Sequence, residues 1–196
     1  LSQKSKIFAS SPIGRAKSTI NINLKGGFSI RNSSKNMVLC ALFAALMAIC
    51  AWISVPVFDI AFTLQTFAVF LTLGLLGGKR GSAAILIYLL LGAAGMPVFS
   101  GFRGGIGTLA GVTGGYLWGF LFSGLIYWAL ERFGKLPAML AGQLACYACG
   151  SAWFYLYTGG GLWLILLRCV VPYLIPDAFK LALAYILTRR LSRHLT

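Results

Sequence analysis

Acidic side chains are almost missing from this sequence: Asp59, Glu131 and Asp177 stand against 17 Lys and Arg. Histidine is scarcer still, with His194 alone near the C-terminus. Only 10% of the 196 residues are charged, where soluble domains carry about a quarter. Carboxylate pairs and histidines carry most acid–base chemistry, so their scarcity argues against an enzyme. No stretch has zinc-ligand spacing, and none forms a nucleophile elbow. Cys146-Tyr147-Ala148-Cys149 has CxxC spacing, but no second pair or histidine cluster follows. Cys40, Cys50, Cys146, Cys149 and Cys169 all fall in apolar runs, so free buried thiols are expected, with no metal and no cofactor. Gly74-Leu75-Leu76-Gly77-Gly78-Lys79-Arg80 misses a phosphate loop by one residue of spacing and has Arg80 where Ser or Thr belongs. The chain is therefore not expected to bind ATP by that route.

What is present is apolar. Hydrophobic residues make up 59% of the chain, in long runs with 24 glycines among them. A soluble domain of this size has too little interior for that surface, and the natural solvent is a bilayer. Long runs rather than short alternating strands predict an all-α integral membrane protein, not a barrel. Six spans are expected, over about 36–54, 61–77, 82–95, 109–130, 137–157 and 176–192. The stretch 162–172 reads as a short helix or re-entrant piece. The second, third and sixth spans fall short of the roughly 20 residues of a full crossing, which predicts a cavity or a thinned edge. Residues 1–35 read as a basic, mobile tail before a membrane domain at 36–196; their Ser-rich, acid-free composition also fits an organelle transit peptide.

The net charge of +14 invites a nucleic-acid reading, but its distribution follows topology instead. With a cytoplasmic tail and six spans, Lys79, Arg80, Arg132, Lys135, Arg189, Arg190 and Arg193 fall on the tail's side, as the positive-inside rule requires. Both termini are then cytoplasmic, and membrane lipids rather than nucleic acid are the expected neighbours. Arg103, Arg168 and Lys180 remain outside this pattern and become the functional candidates.

Lys180 lies three residues after Asp177, on the same helical face. Pro176 suits a first helical turn, which would set Asp177 where the helix dipole favours an anion. Lys180 stands nine residues before Arg189, about 13 Å of helix and so near mid-membrane. A charge there costs about 2.5–3.5 kcal/mol or more, so it should face the interior or a partner. The pair reads either as a helix cap beside a snorkelling lysine or as a polar patch in an outward-facing pocket.

Other candidates are weaker. Gly104-Gly105-Ile106-Gly107, beside Arg103, can wrap an anion with backbone N–H groups, and the glycine-rich segment from Met96 to Thr113 suggests an outer gating loop. A plain connecting loop fits the same residues. Gln65, Thr66 and Gln143 are polar residues within spans that serve a ligand or a neighbouring helix, and Tyr116, near a span end, reads as an interfacial anchor or a ligand contact. Ala41, Ala44, Ala45 and Ala48 form a small-residue arc that admits an internal helix or another subunit. Gly111, Gly115 and Gly119 form a second small face, expected to pack internally. Trp52, Phe58, Phe62, Phe67, Trp118, Trp153, Tyr155 and Tyr157 read chiefly as interfacial anchors.

Five motifs in order resemble those of a known family. They are the alanine-rich stretch from Ala41 to Ala48, Phe62-Thr-Leu-Gln-Thr-Phe67, the run from Leu89 to Phe99 ending Gly-Met-Pro-Val-Phe, Gly111-Val-Thr-Gly-Gly-Tyr116, and Ile175-Pro-Asp-Ala-Phe-Lys180. They resemble BioY, the biotin-binding S component of energy-coupling-factor (ECF) transporters, over nearly all of the chain from Asn36 to Leu191. Val112 departs from the proline of the family pattern. The resemblance implies a six-helix bundle in the bacterial inner membrane that captures biotin on its outer side. It implies that Asp177 and Lys180 face the ligand, and that the alanine motif docks on a transmembrane coupling subunit which carries two cytoplasmic ATPases. Other readings are an S component for riboflavin or thiamine, a stand-alone proton-coupled carrier, or a structural assembly protein without a ligand.

Overall fold

Glycine, proline and one pair of β-branched stretches divide the apolar sequence into its elements. The computed structural model describes residues 34–57, 60–159 and 161–195. Residues 1–33 of the expected tail, Phe58 and Asp59 lie outside the described residues, as do the side chains of Arg168, Cys169, Arg193 and His194. Among the described residues, those from Cys40 onward form one compact unit.

Helix α1 (Ser34–Trp52) leads into a hairpin of β1 (Ser54–Val57) and β2 (Ile60–Thr63). Then come α2 (Gln65–Leu76), α3 (Gly78–Ala93), a 3-10 turn at Ser100–Phe102, α4 (Ile106–Ala110), α5 (Gly114–Leu130) and a second 3-10 turn at Glu131–Phe133. α6 (Lys135–Thr158), α7 (Leu162–Cys169) and α8 (Val171–Leu195) complete the chain's helices among the described residues. α1 and the Val171–Ser192 part of α8 are long and apolar enough, by length and composition, to cross a membrane.

Three spans differ from the sequence reading. The second span was expected from residue 61, but Ala61–Thr63 belong to β2 and α2 starts at Gln65. The strands pair antiparallel with Ser54 opposite Thr63 and Val57 opposite Ile60, and the Leu64 N–H closes the base on the Ile53 carbonyl at 3.1 Å. β-Branched Val55, Val57, Ile60 and Thr63 favour this extended form, and a two-stranded ribbon is all edge, which tolerates Pro56. The last span was expected to begin at Pro176 with Asp177 in its first turn. α8 instead begins at Val171, with Pro176 inside it. The break falls at Val170 (φ −123°, ψ −54°), and Pro172, not Pro176, occupies the first turn, where a missing N–H is tolerated. The dipole argument for Asp177 therefore does not apply: the charge sits in the body of the helix. The fourth span is similarly divided, with α4 separate and α5 starting at Gly114.

α2 is buried on nearly every face, from Ala68 to Gly74, and packs against α3 and α8. Gly77 (φ 78°) permits the sharp turn from α2 into α3. Glu131 then accepts the Gly78 N–H at 2.7 Å, so one of the three acids caps the start of α3. α5 and α6 approach closely because Gly115 lies against Trp153, Gly119 against Cys146 and Gly150 against the Tyr116 ring. Gly115 and Gly119 thus pack internally as expected, whereas Gly111 ends α4. The alanine arc of α1 divides. Ala44 and Ala48 are buried in the core beside Met47, whereas Ala41 and Ala45 are exposed.

Candidate functional site

α8 presents Asp177 and Lys180 one turn apart, and both point inward, 6% and 4% exposed. Their ion pair is 2.8 Å long. The other carboxylate oxygen accepts from Tyr147 Oη at 2.7 Å and from Gln143 Nε2 at 3.2 Å, two residues one turn apart on α6. The Lys180 ammonium also donates to the Thr63 carbonyl at 2.6 Å and stands 3.7 Å from the centre of the Phe62 ring. The pair therefore ties α8 to both α6 and the hairpin. Each buried charge is met by an opposite charge and by further donors or acceptors, the condition for tolerating ions in a low-dielectric interior.

These groups form one wall of a cavity of about 420 Å³. Gln65 and Thr66 from α2, Tyr116 and Phe120 from α5, Tyr173 from α8 and Phe99 from the loop after α3 also line it. Arg103, itself exposed, stands at the edge and also lines an outer hollow of about 480 Å³ with Thr108, Thr113, Phe154 and Thr158. Among the described lining residues the charges are Asp177, Lys180 and Arg103, so the cavity is one cation in excess and suits a monoanion. Gln143 Oε1 is buried and has no hydrogen-bond partner. Its amide nitrogen is fixed toward Asp177 because a carboxylate accepts, which leaves the oxygen to accept a donor.

Asp177, Lys180, Arg103, Gln65 and Tyr116, all picked out in the sequence, therefore surround one cavity. Gly104 and Gly105 do not line it. A side chain at Gly104 would strike the Gly95–Met96 backbone, and the Gly105 N–H donates to the Gly92 carbonyl at 2.7 Å. The Gly105 N–H is thereby engaged by the end of α3. Tyr147 and the Thr63 carbonyl were missed. The i, i+4 pairing of Gln143 with Tyr147 on an apolar helix was the available signal for the first. A main-chain carbonyl has no signature in sequence. Phe62, read as an interfacial anchor, instead lies under the ammonium. Cys40, Cys50 and Cys146 are free and buried, and Cys149 is free and half-buried. Among the described residues no cluster of His, Cys, Asp or Glu is placed to hold a metal ion.

A helical bundle with a polar, ion-paired cavity in an apolar body has the architecture of a membrane solute-binding component. The fold matches the crystal structure of an S-component for biotin from an ECF-type ABC transporter with a TM-score of 0.77, at 25% identity, over 83% of this chain and 93% of that one. The chain belongs to the BioY family, whose model matches residues 19–196. It is 38% identical over 164 residues to the biotin transporter BioY of Thermotoga maritima, covering 81% of this chain and 96% of that protein. It is 42% identical over 161 residues to the probable biotin transporter BioY of Pyrococcus horikoshii, covering 81% and 97%.

Proposed function

We propose that this protein is the substrate-capture component of an ECF-type transporter and that its ligand is biotin. The observation that carries the reading is the cavity's polar pattern: a locked Asp177–Lys180 pair and an unpartnered Gln143 carbonyl oxygen at one wall, and Arg103 at the edge. Biotin has the complementary pattern. Its ureido group offers two N–H donors and a carbonyl, its fused rings are apolar, and its tail ends in a carboxylate.

Three of the Asp177 lone-pair sites are already occupied by Lys180, Tyr147 and Gln143. One ureido N–H then goes to the remaining site on Asp177 and the other to Gln143 Oε1. Lys180 gives one N–H to Thr63 and one to Asp177, leaving its third for the ureido carbonyl. The carboxylate, the most strongly hydrated part of the ligand, lies toward the mouth and pairs with Arg103 in a charge-assisted bond. Tyr116, Phe120 and Tyr173 supply apolar surface for the rings.

In this reading α1, α2, α3, α5, α6 and α8 are the six membrane helices, with both termini on the cytoplasmic side of a bacterial inner membrane. α2, at 12 residues, spans only about 18 Å of a hydrocarbon layer near 30 Å thick, and the hairpin completes that depth. The exposed Ala41 and Ala45 face the coupling subunit; the two ATPases act on that subunit, and this chain performs no chemistry. Thermal unfolding of the detergent-purified chain tests the ligand: biotin should raise the midpoint, and riboflavin and thiamine should not. Stabilisation by another vitamin in place of biotin would reassign it.

A further inference from the structure

Arg103 sits on a loop, and the loop is fastened by a residue that does not line the cavity. Tyr88 on α3 is fully buried. Its hydroxyl accepts from Gln65 Nε2 at 2.9 Å and donates to the Val98 carbonyl at 3.0 Å, so its one proton and its principal acceptor position are both engaged. Its ring meets the Phe99 ring edge-on, 5.5 Å between centres at 80°. Phe99 in turn pairs with Arg103 through the backbone, its N–H donating to the Arg103 carbonyl at 2.9 Å. The Phe99 ring rests on Gly92, where any side chain would collide with it. The outer fastening of the same loop is partly solvent-facing: Trp52 Nε1 donates to the Pro97 carbonyl at 2.8 Å, and its ring stacks on Phe102, itself held at φ 57°.

We propose that Tyr88 is a positioning residue that sets Arg103 against the ligand's carboxylate and so determines preference for the acid over its neutral amide. The inference rests on the pairing of Arg103 with that carboxylate. The physical basis is the short chain from the Tyr88 hydroxyl to Val98, then Phe99, then Arg103. Removing the hydroxyl leaves a buried amide N–H on Gln65 and a buried carbonyl on Val98 without partners. The Val98–Phe99 segment then relaxes, and the guanidinium at its far end loses the placement that a charge-assisted pair demands.

The test is calorimetric titration of the detergent-purified full chain with biotin and with biotin carboxamide. Wild type, Tyr88→Phe, Arg103→Ala and the double variant are compared. The wild type should prefer biotin. Tyr88→Phe should lower that preference about tenfold; the freed Gln65 amide at the cavity wall acts on both ligands alike and cancels in the ratio. In the Arg103→Ala background Tyr88→Phe should leave the ratio of the two affinities unchanged, since groups acting through one another are not additive. An unchanged preference in Tyr88→Phe, or a loss of preference that persists in full without Arg103, overturns the proposal, because a purely structural role gives those results. A wild type indifferent between biotin and the amide removes the Arg103 pairing itself, and the inference with it. Should Tyr88→Phe fail to fold, Gly92→Ala displaces the Phe99 ring directly and must produce the same loss of preference; an unchanged preference there also overturns the proposal.

Discussion

The Lys180 ammonium on α8 donates to the main-chain carbonyl of Thr63 at 2.6 Å, across 117 residues of sequence. This contact joins the hairpin to the ion pair, so one side chain ties together two lining elements of the cavity.

Lys180→Ala is therefore expected to weaken biotin binding by about 2–3 kcal/mol, since Asp177 loses its charge partner and the hairpin its tie. Stopped-flow release should show a faster off-rate than wild type. Unchanged binding to the purified variant would reject the role.

Gln143→Leu keeps the volume of the side chain but removes the acceptor. It is expected to reduce biotin affinity by about 1–2 kcal/mol and to blunt discrimination against biotin methylated on a ureido nitrogen. The coupling between the two changes, read from four dissociation constants, measures the contact. Strict additivity would place Gln143 outside it.

Gly150 lies against the Tyr116 ring, so Gly150→Ala forces that ring into the cavity or separates α5 from α6. Overpacking of this kind costs about 1–3 kcal/mol. A lowered unfolding midpoint together with weaker biotin binding is expected; a lowered midpoint alone would mean that Tyr116 moves away from the ligand.

Ala45 is exposed on α1 and Ala44 is buried beneath it. Ala45→Trp should leave biotin binding by the isolated chain intact and abolish co-purification with the coupling subunit and uptake in cells. Ala44→Trp should instead destabilise the fold. Normal uptake by Ala45→Trp would move the docking face elsewhere.

Much of the site was legible because charge in an apolar run is conspicuous. Lys180 and Arg103 stood out, with Arg168, against the topology pattern, and Asp177 as a rare acid in an apolar run; the structure gathers Asp177, Lys180 and Arg103 at one cavity. The helices were legible from their runs, with ends off by a few residues. The hairpin was not, because Val55–Val57 and Ile60–Thr63 are as apolar as the helices beside them and show no alternation. Pro176 misled for a related reason: a proline suits a first turn, but Pro172 already fills that role one turn earlier. Tyr88 and Tyr147 were hidden among aromatics that composition cannot sort into buried hydroxyls and interfacial anchors. The loop glycines were visible, but whether the Gly105 N–H faces a ligand or the Gly92 carbonyl depends on the fold.

The central claim is that the buried pair is retained for the ligand and not for the fold. Replacing both members at once, Asp177→Asn with Lys180→Met, removes the two charges while keeping similar volume, a change that buried ion pairs often tolerate. Unfolding midpoint and biotin dissociation constant should be measured on the same purified protein. A midpoint close to that of ligand-free wild type and no detectable biotin binding are expected. A folded double variant that still binds biotin with wild-type affinity would contradict the claim.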